Sequence, residues 1–489
     1  MTTRPRAPRA PQAPPAAASP AAPARRCPRP RREALRAFVA GLTGVGLLVG
    51  ASGCGMLPEA LGGEPARETL TVMTFAPEGT QATNMPGMPA MAEAYARWVN
   101  ARGGLSGRTL RVITCNEHNT AAGARACAQR AVEERALAVV GSYSQHGRSF
   151  TAPLESAGIP FLGGYGVSAE EFQSPLSYPV NGGQSALLAG AGRQLAVSCR
   201  KVVLVRPDTL AGDVLPELLN VSLKDRGQPV AQDVRAPEDT ADFAAEARAA
   251  RTGAGTDGGC VAAVLGERTE TFADAFRRQG TGTPTATATT EDAAPSAAAP
   301  SAPSPSAGPT GPAPAADAGG GPRLSSVLGS VSQGLVDRTG GKDSPFEGAY
   351  VTGWYPVATD PVWNPMRKVI TDHAFGDDRV DADDSGVQTT WIAYNVLAEM
   401  VRRLDHEAPG QPVTADRLAR ALDRADPVDT AGLTPDLSWR FHDMRAIGGF
   451  PRLVNGRVTF QQVRGGRLVS QGETARDMTA VLEKAPIQG

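Results

Sequence analysis

From about residue 70 onward the apolar positions follow two alternating rhythms. Leu70-Thr71-Val72-Met73-Thr74-Phe75 is a short, nearly continuous apolar run and reads as a buried strand; residues 91–101 then bring Ala94, Trp98 and Ala101 to one face at helical spacing. Gly103 and Gly104 end that helix. The pattern repeats as strand 109–113, helix 122–135, strand 137–141, helix 150–157 and strand 159–162. It resumes after Asn181-Gly182-Gly183 as helix 187–196, strand 201–205, helix 214–225, strand 229–234, helix 240–251, strand 260–265 and helix 271–279. Strands that alternate with helices require parallel pairing with helices on both faces. Two successive units of similar size imply two lobes, with a hinge near 178–183. One further strand, 348–354, precedes helices at 361–373, 387–403 and 414–423 and a short β-ending at 457–462 and 467–470.

Two segments break the rhythm. Residues 281–322 are a Thr, Ala, Pro, Ser and Gly tract with three charged residues and no large apolar side chain. Such a tract cannot offset its ordering entropy, so it reads as a disordered insertion in the second lobe. Residues 1–30 are aperiodic Ala/Pro/Arg sequence. They lead into Arg31, Arg32 and Arg36 and an apolar run at 38–50, too short for a membrane-spanning helix. Basic residues, a short apolar run and then the small residues Ala51-Ser52-Gly53 before Cys54 have the order of an export signal, with Cys54 as a candidate lipidated N-terminus.

Charge follows the same division. Residues 1–53 carry nine arginines and one glutamate, a surplus of +8 that leaves −9 on the remainder when taken from the formal −1. The remainder is mildly acidic and offers no basic footprint for nucleic acid.

Four cysteines, Cys115, Cys127, Cys199 and Cys260, lie in the body. In an exported protein they point to two disulfides, for which three pairings exist in principle. Cys115 ends a strand and Cys127 sits in the next helix. Cys199 precedes one strand and Cys260 opens another. These positions favour Cys115–Cys127 and Cys199–Cys260.

Other motifs carry little. Gly253-Ala254-Gly255-Thr256-Asp257-Gly258 follows a helix and precedes a strand, the reverse of the order a dinucleotide loop needs. Asp381-Ala382-Asp383-Asp384-Ser385-Gly386 starts like a calcium loop, but Ile392 stands where the closing glutamate belongs. The five histidines show no metal spacing, and no nucleophile elbow is present. No cofactor, metal or enzymatic activity is expected.

The segment Trp98-Val99-Asn100-Ala101-Arg102-Gly103-Gly104-Leu105-Ser106-Gly107-Arg108 resembles a recurring stretch of the leucine/isoleucine/valine-binding protein family. Val139-Val140-Gly141-Ser142 and Ala157-Gly158-Ile159-Pro160-Phe161 match two later family segments in order. The resemblance covers 70–475 apart from the insertion. It implies an α/β, two-lobed type I periplasmic-binding-protein fold, each lobe a mostly parallel sheet flanked by helices. The expected division is 70–180 with 356–452 for lobe 1 and 181–355 with 453–475 for lobe 2, after a signal at 1–53 and a tether at 54–69; 476–489 form a tail.

The resemblance also implies a monomeric receptor on the extracytoplasmic face of the cell membrane, held there by a lipid. It would capture a small polar solute (an amino acid, amide or peptide-like molecule) for the permease of an ABC importer. A ligand-sensing subunit of a signalling system, and a cell-envelope enzyme or interaction lipoprotein, are the rival readings. In open α/β sheets ligands bind beyond the carboxyl ends of the strands. The candidate contacts are therefore Glu78, Ser142, Tyr143, Ser144, Gly163, Gly164 and Tyr165 in lobe 1, and Asp208, Glu267, Glu270 and Trp354 in lobe 2. Gly163-Gly164-Tyr165 departs from the family's usual small hydroxylic pattern, which leaves the grip for a ligand carboxylate incomplete.

Overall fold

Two sheets organise the chain in a computed structural model, which describes residues 68–80, 83–209, 212–237, 239–279, 321–327, 329–445, 447–472 and 475–484. The expected signal, Cys54 and residues 281–320 of the expected insertion lie outside the described residues. The first sheet contains β1 (Thr69–Ala76), β2 (Thr109–Asn116), β3 (Ala138–Val140), β4 (Phe161–Leu162) and β5 (Ser177–Tyr178), all parallel, in the order β2-β1-β3-β4-β5. Val72 of β1 pairs with Val112 on one side and Ala138 on the other, which makes β1 an inner strand covered on both faces. That is why its apolar run is nearly continuous rather than alternating.

The second sheet contains β6 (Lys201–Pro207), β7 (Gln232–Ala236), β8 (Gly259–Ala263), β9 (Arg323–Val327), β10 (Tyr350–Gly353), β11 (Arg457–Arg464), β12 (Arg467–Ser470) and β13 (Arg476–Asp477). Its order is β12-β11-β10-β9-β8-β6-β7, with β13 paired to β11. The members from β6 to β10 are parallel, and β11, β12 and β13 close the sheet antiparallel.

The chain passes between the sheets three times: near 179–182, near 354–363 and near 451–456. These passages are bonded to one another. Asn455 Nδ2 donates to Val180 O at 3.0 Å, Asn181 Nδ2 to the Tyr355 hydroxyl at 3.2 Å, and Thr459 Oγ1 to Tyr355 O at 2.8 Å. Trp354, Tyr355 and Trp363 are buried among them in an apolar cluster that continues into both lobes.

After the second passage the chain returns to the first sheet. The 23-residue helix Ser385–Glu407 starts at Asp384, whose carboxylate accepts the N–H groups of Gly386 and Val387. It lies on the sheet through buried polar contacts: Tyr394 OH with Thr74 Oγ1 at 2.8 Å, and Thr390 Oγ1 donating to Gly141 O at 3.1 Å.

The structure corrects the element reading in three places. Between the tract and residue 348 it contains β9 and the helix Gln333–Arg338, neither of which the pattern reveals. Arg-Leu-Ser-Ser-Val has only two apolar side chains, and its burial comes from neighbours β8 and β10, not from its own periodicity. Ser177–Tyr178 is an edge strand, so the first passage begins after Tyr178.

Both disulfides form as the strand positions imply. Cys115–Cys127 clasps the end of β2 to the helix Ala121–Glu133. Cys199–Cys260 joins the entry to β6 to the start of its neighbour β8, with a Cα–Cα distance of 5.8 Å.

Candidate functional site

Between the two sheets, beyond the carboxyl ends of β3, β4, β6 and β8, lies a cavity of about 230 Å³. Lobe 1 contributes Thr83, Met85, Tyr143, Gln145, Tyr165 and Val167. Lobe 2 contributes Gln184 and Leu187 from the helix Gly183–Ser198, Thr209 and Leu215 after β6, Leu265 to Arg268 after β8, Val327 at the end of β9, and Trp354 after β10. The lining is mainly apolar and aromatic, with a few amide and hydroxyl groups and two charged residues, Glu267 and Arg268, the usual make-up of a small-molecule site.

Its back wall is a run of rings. The Tyr143 and Tyr165 centroids are 5.2 Å apart, and Trp354 meets Tyr165 edge-on at 5.0 Å. Each ring is fixed by its polar end: Tyr165 OH bonds Ser385 Oγ at 2.8 Å, Trp354 Nε1 donates to Gly183 O at 3.0 Å, and Gln145 Nε2 donates to Tyr143 OH at 3.0 Å. Burial pushes the Tyr143 hydroxyl up to about 12 and raises Tyr165 further, so both remain neutral hydrogen-bonding groups.

The loop carrying Tyr165 and Val167 is held from behind by a buried carboxylate. Glu171 Oε2 accepts Gly166 N at 2.9 Å; its Oε1 accepts Val167 N at 2.9 Å and Ser168 N at 3.0 Å. Burial nevertheless outweighs these bonds and raises the Glu171 carboxyl to about 7. On the lobe-2 side, Arg206 is 1% exposed and forks onto Asp233 at 2.9 Å through both Nε and Nη2. Its Nη1 also reaches Pro207 O and Asp213, tying down the two ends of the loop that bears Thr209.

Of the eleven candidate contacts, Tyr143, Tyr165, Glu267 and Trp354 line this cavity. The others stand elsewhere, each for a local reason. Ser142 Oγ accepts Phe75 N at 3.0 Å, and Ser144 Oγ donates to buried Glu117 at 2.9 Å, so both hydroxyls are spent inside lobe 1. Burial raises the Glu117 carboxyl. A Cβ on Gly163 would stand 2.3 Å from Ala393 Cβ, and one on Gly164 would stand 2.0 Å from Glu171 Oε2. Helix packing and the Glu171 carboxylate thus account for the glycine pair. Glu78 faces Arg379 at 3.8 Å, Asp208 faces Arg235 at 3.5 Å, and Glu270 faces Arg338 at 3.5 Å, all at the surface.

The charged residues at the rim are also directed at protein. Glu267 Oε1 accepts the Asn84 N–H at 2.9 Å, and Arg268 Nη1 donates to Pro237 O at 2.9 Å. The sequence reading missed Met85, Leu187, Leu265 and Val327. Leu265, just after β8, and Val327, at the end of β9, sit where the fold rule points, whereas Leu187 lies within the helix Gly183–Ser198.

No helix among the described residues is long and apolar enough to cross a membrane. No curated protein sequence matches the chain significantly. Among solved structures, a substrate-binding periplasmic protein from Ralstonia solanacearum shares 16% identity, with 82% of this chain and 100% of that one covered, at a TM-score of 0.61. A branched-chain amino acid ABC transporter protein from Thermus thermophilus, with bound valine, shares 12% identity over 86% and 99% of the two chains, at a TM-score of 0.63. An ABC-transporter solute-binding protein from Rhodopseudomonas palustris in complex with p-hydroxybenzoic acid shares 14% identity over 86% and 100%, at a TM-score of 0.61. The family model described as periplasmic binding protein matches residues 70–450. With that match over most of its length, and with two α/β lobes facing each other across a ring-lined cavity, the chain belongs to the periplasmic binding protein family of solute receptors, with the type I fold.

Proposed function

We propose that the protein is the extracytoplasmic receptor of an ABC importer, anchored by a lipid on Cys54, and that it captures a small solute between its lobes. The observation that carries the reading is the interlobe cavity, backed by Tyr143, Tyr165 and Trp354 and lined otherwise by aliphatic, amide and hydroxyl groups together with Glu267 and Arg268, both of which are bonded to protein. Because Glu267 and Arg268 already bond Asn84 N and Pro237 O, a carboxylate or ammonium would gain little there against its lost hydration. The solute class that fits is therefore uncharged, with an aromatic or branched apolar body and an amide or hydroxyl end. An amide agrees with the class expected from the family resemblance, whereas a free amino acid does not meet this lining well. Among the structural neighbours, the Rhodopseudomonas protein is in complex with p-hydroxybenzoic acid, an aromatic ligand that also carries a carboxyl group.

A thermal-shift panel on the full chain tests the class. Uncharged aromatic and branched amides are expected to raise the midpoint, and the Leu187→Trp variant, which fills the cavity, is expected to abolish the rise. Stabilisation by free amino acids alone would reject the uncharged class but keep the receptor. Mass spectrometry of the native N-terminus tests the anchor: the expected species begins at a lipid-modified Cys54, and an unmodified chain beginning upstream would contradict it.

A further inference from the structure

A second cavity, of about 250 Å³, lies at the passages between the lobes. Its walls come from four places. Trp354 and Val357 belong to the second passage, Arg457 and Phe460 to β11 of lobe 2, Ser470 to the end of β12 with Gly472 and Ala475 after it, and Leu433 and Pro435 to a lobe-1 loop. Trp354 lines this cavity and the solute cavity alike, so the two share a wall.

The two charged groups of the lining are engaged differently. Arg457, an exposed residue that lines the cavity, makes no ion pair with any described residue; its backbone pairs with Asp477 of β13, and its N–H donates to Asn455 Oδ1 at 3.0 Å. Asp360 also lines it, but its Oδ1 already accepts Val362 N at 2.9 Å as the cap of a helical turn. The cavity thus presents an aromatic and aliphatic body with the Arg457 guanidinium free of ion pairs among the described residues and the Asp360 carboxylate held as a cap. Guanidinium favours carboxylate through paired, charge-assisted hydrogen bonds.

We propose that this cavity is a second ligand site, that it takes a small carboxylate with a planar or branched apolar body, and that its occupation is coupled to the angle between the lobes. The coupling follows from the walls. Leu433 and Pro435 travel with lobe 1 and Arg457 with lobe 2, so rotation about the passages changes the site's shape. A ligand that fits one angle better shifts the population toward it, and the effect on the solute cavity is reciprocal.

Benzoate titrated into the full chain, followed by saturation-transfer NMR, tests the proposal. Binding in the millimolar range or tighter is expected. Arg457→Ala should weaken it about tenfold or more and Arg457→Lys less, because lysine keeps the charge without the fork. Asp360→Asn, which keeps the cap acceptor and removes a facing negative charge, should bind benzoate at least as well. Leu187→Trp, which fills only the solute cavity, should still bind it. No saturation transfer at about 10 mM benzoate, a range covering affinities near −3 to −4 kcal/mol, would overturn the proposal. So would binding that Arg457→Ala leaves unchanged and Leu187→Trp abolishes, which would assign benzoate to the solute cavity.

Discussion

Glu267 Oε1, on the loop after β8 in lobe 2, accepts the backbone N–H of Asn84 in lobe 1 at 2.9 Å. The bond spans the rim of the solute cavity, far along the chain from the passages that connect the lobes. It gives Glu267 a part that its charge alone does not suggest, that of an interlobe latch. Glu267→Ala removes the acceptor, whereas Glu267→Gln keeps an oxygen in the same place.

The expected outcome is that Glu267→Ala raises the solute off-rate about fivefold, the loss of a hydrogen bond near 1 kcal/mol, while Glu267→Gln stays within twofold of the parent. Stopped-flow release measurements read both. Equal loss in the two variants would instead mean that Glu267 acts through its charge on the ligand.

The Glu171 carboxyl gives a pH dependence with a definite sign. Its folded value, about 7, lies above the ordinary 4.5, so between these pH values the folded state holds more protons than the unfolded one. Stability from this group is therefore full below about pH 4.5 and is lost as the pH rises through 7, a decline of about 3 kcal/mol in all. Urea unfolding at a series of pH values should show the decline for the parent. Glu171→Gln should abolish it, and should itself be less stable at pH 5, because an amide NH₂ would face backbone N–H donors at Gly166 to Ser168.

The two disulfides should differ in weight. Cys199–Cys260 closes a separation of 61 residues and Cys115–Cys127 one of 12. The chain-entropy relation gives about 4 kcal/mol for the longer loop and about 3 kcal/mol for the shorter. Denaturation of the paired Cys→Ser variants is expected to reproduce that order.

Arg206 is the buried cation of lobe 2, and its fork onto Asp233 cannot be made by lysine. Arg206→Lys is expected to destabilise the protein by about 2 kcal/mol and to loosen the loop bearing Thr209, seen as faster amide exchange at Asp208, Thr209, Gly212 and Asp213.

Much of the fold is legible in the sequence because buried parallel strands and their covering helices impose distinct apolar periods. The run around Val72 and the stripe through Ala94 and Trp98 are examples. Positions 323–327 are illegible for the converse reason: β9 is buried by its neighbours, and Ser325 and Ser326 are buried polar residues that hide the strand. Ser326 Oγ meets its need by donating to Ala263 O across the ladder.

The site is legible only where position along a strand decides it. Tyr143, Tyr165 and Trp354 follow strand ends and reach the cavity; Ser142 and Ser144 follow a strand end too, but their hydroxyls turn inward to Phe75 N and Glu117. Which way a loop side chain turns depends on partners distant in sequence, such as Ser385 for Tyr165 and Glu117 for Ser144. No local pattern encodes that.

Function as a receptor requires that the ring-backed cavity between the lobes hold a small solute. Native mass spectrometry of the full chain purified from its own cells, without dialysis, tests it most directly. The expected spectrum shows one small uncharged molecule per chain, released on denaturation and missing from Leu187→Trp. A folded chain with no retained solute, whose mass and thermal midpoint no added solute changes, would contradict the claim.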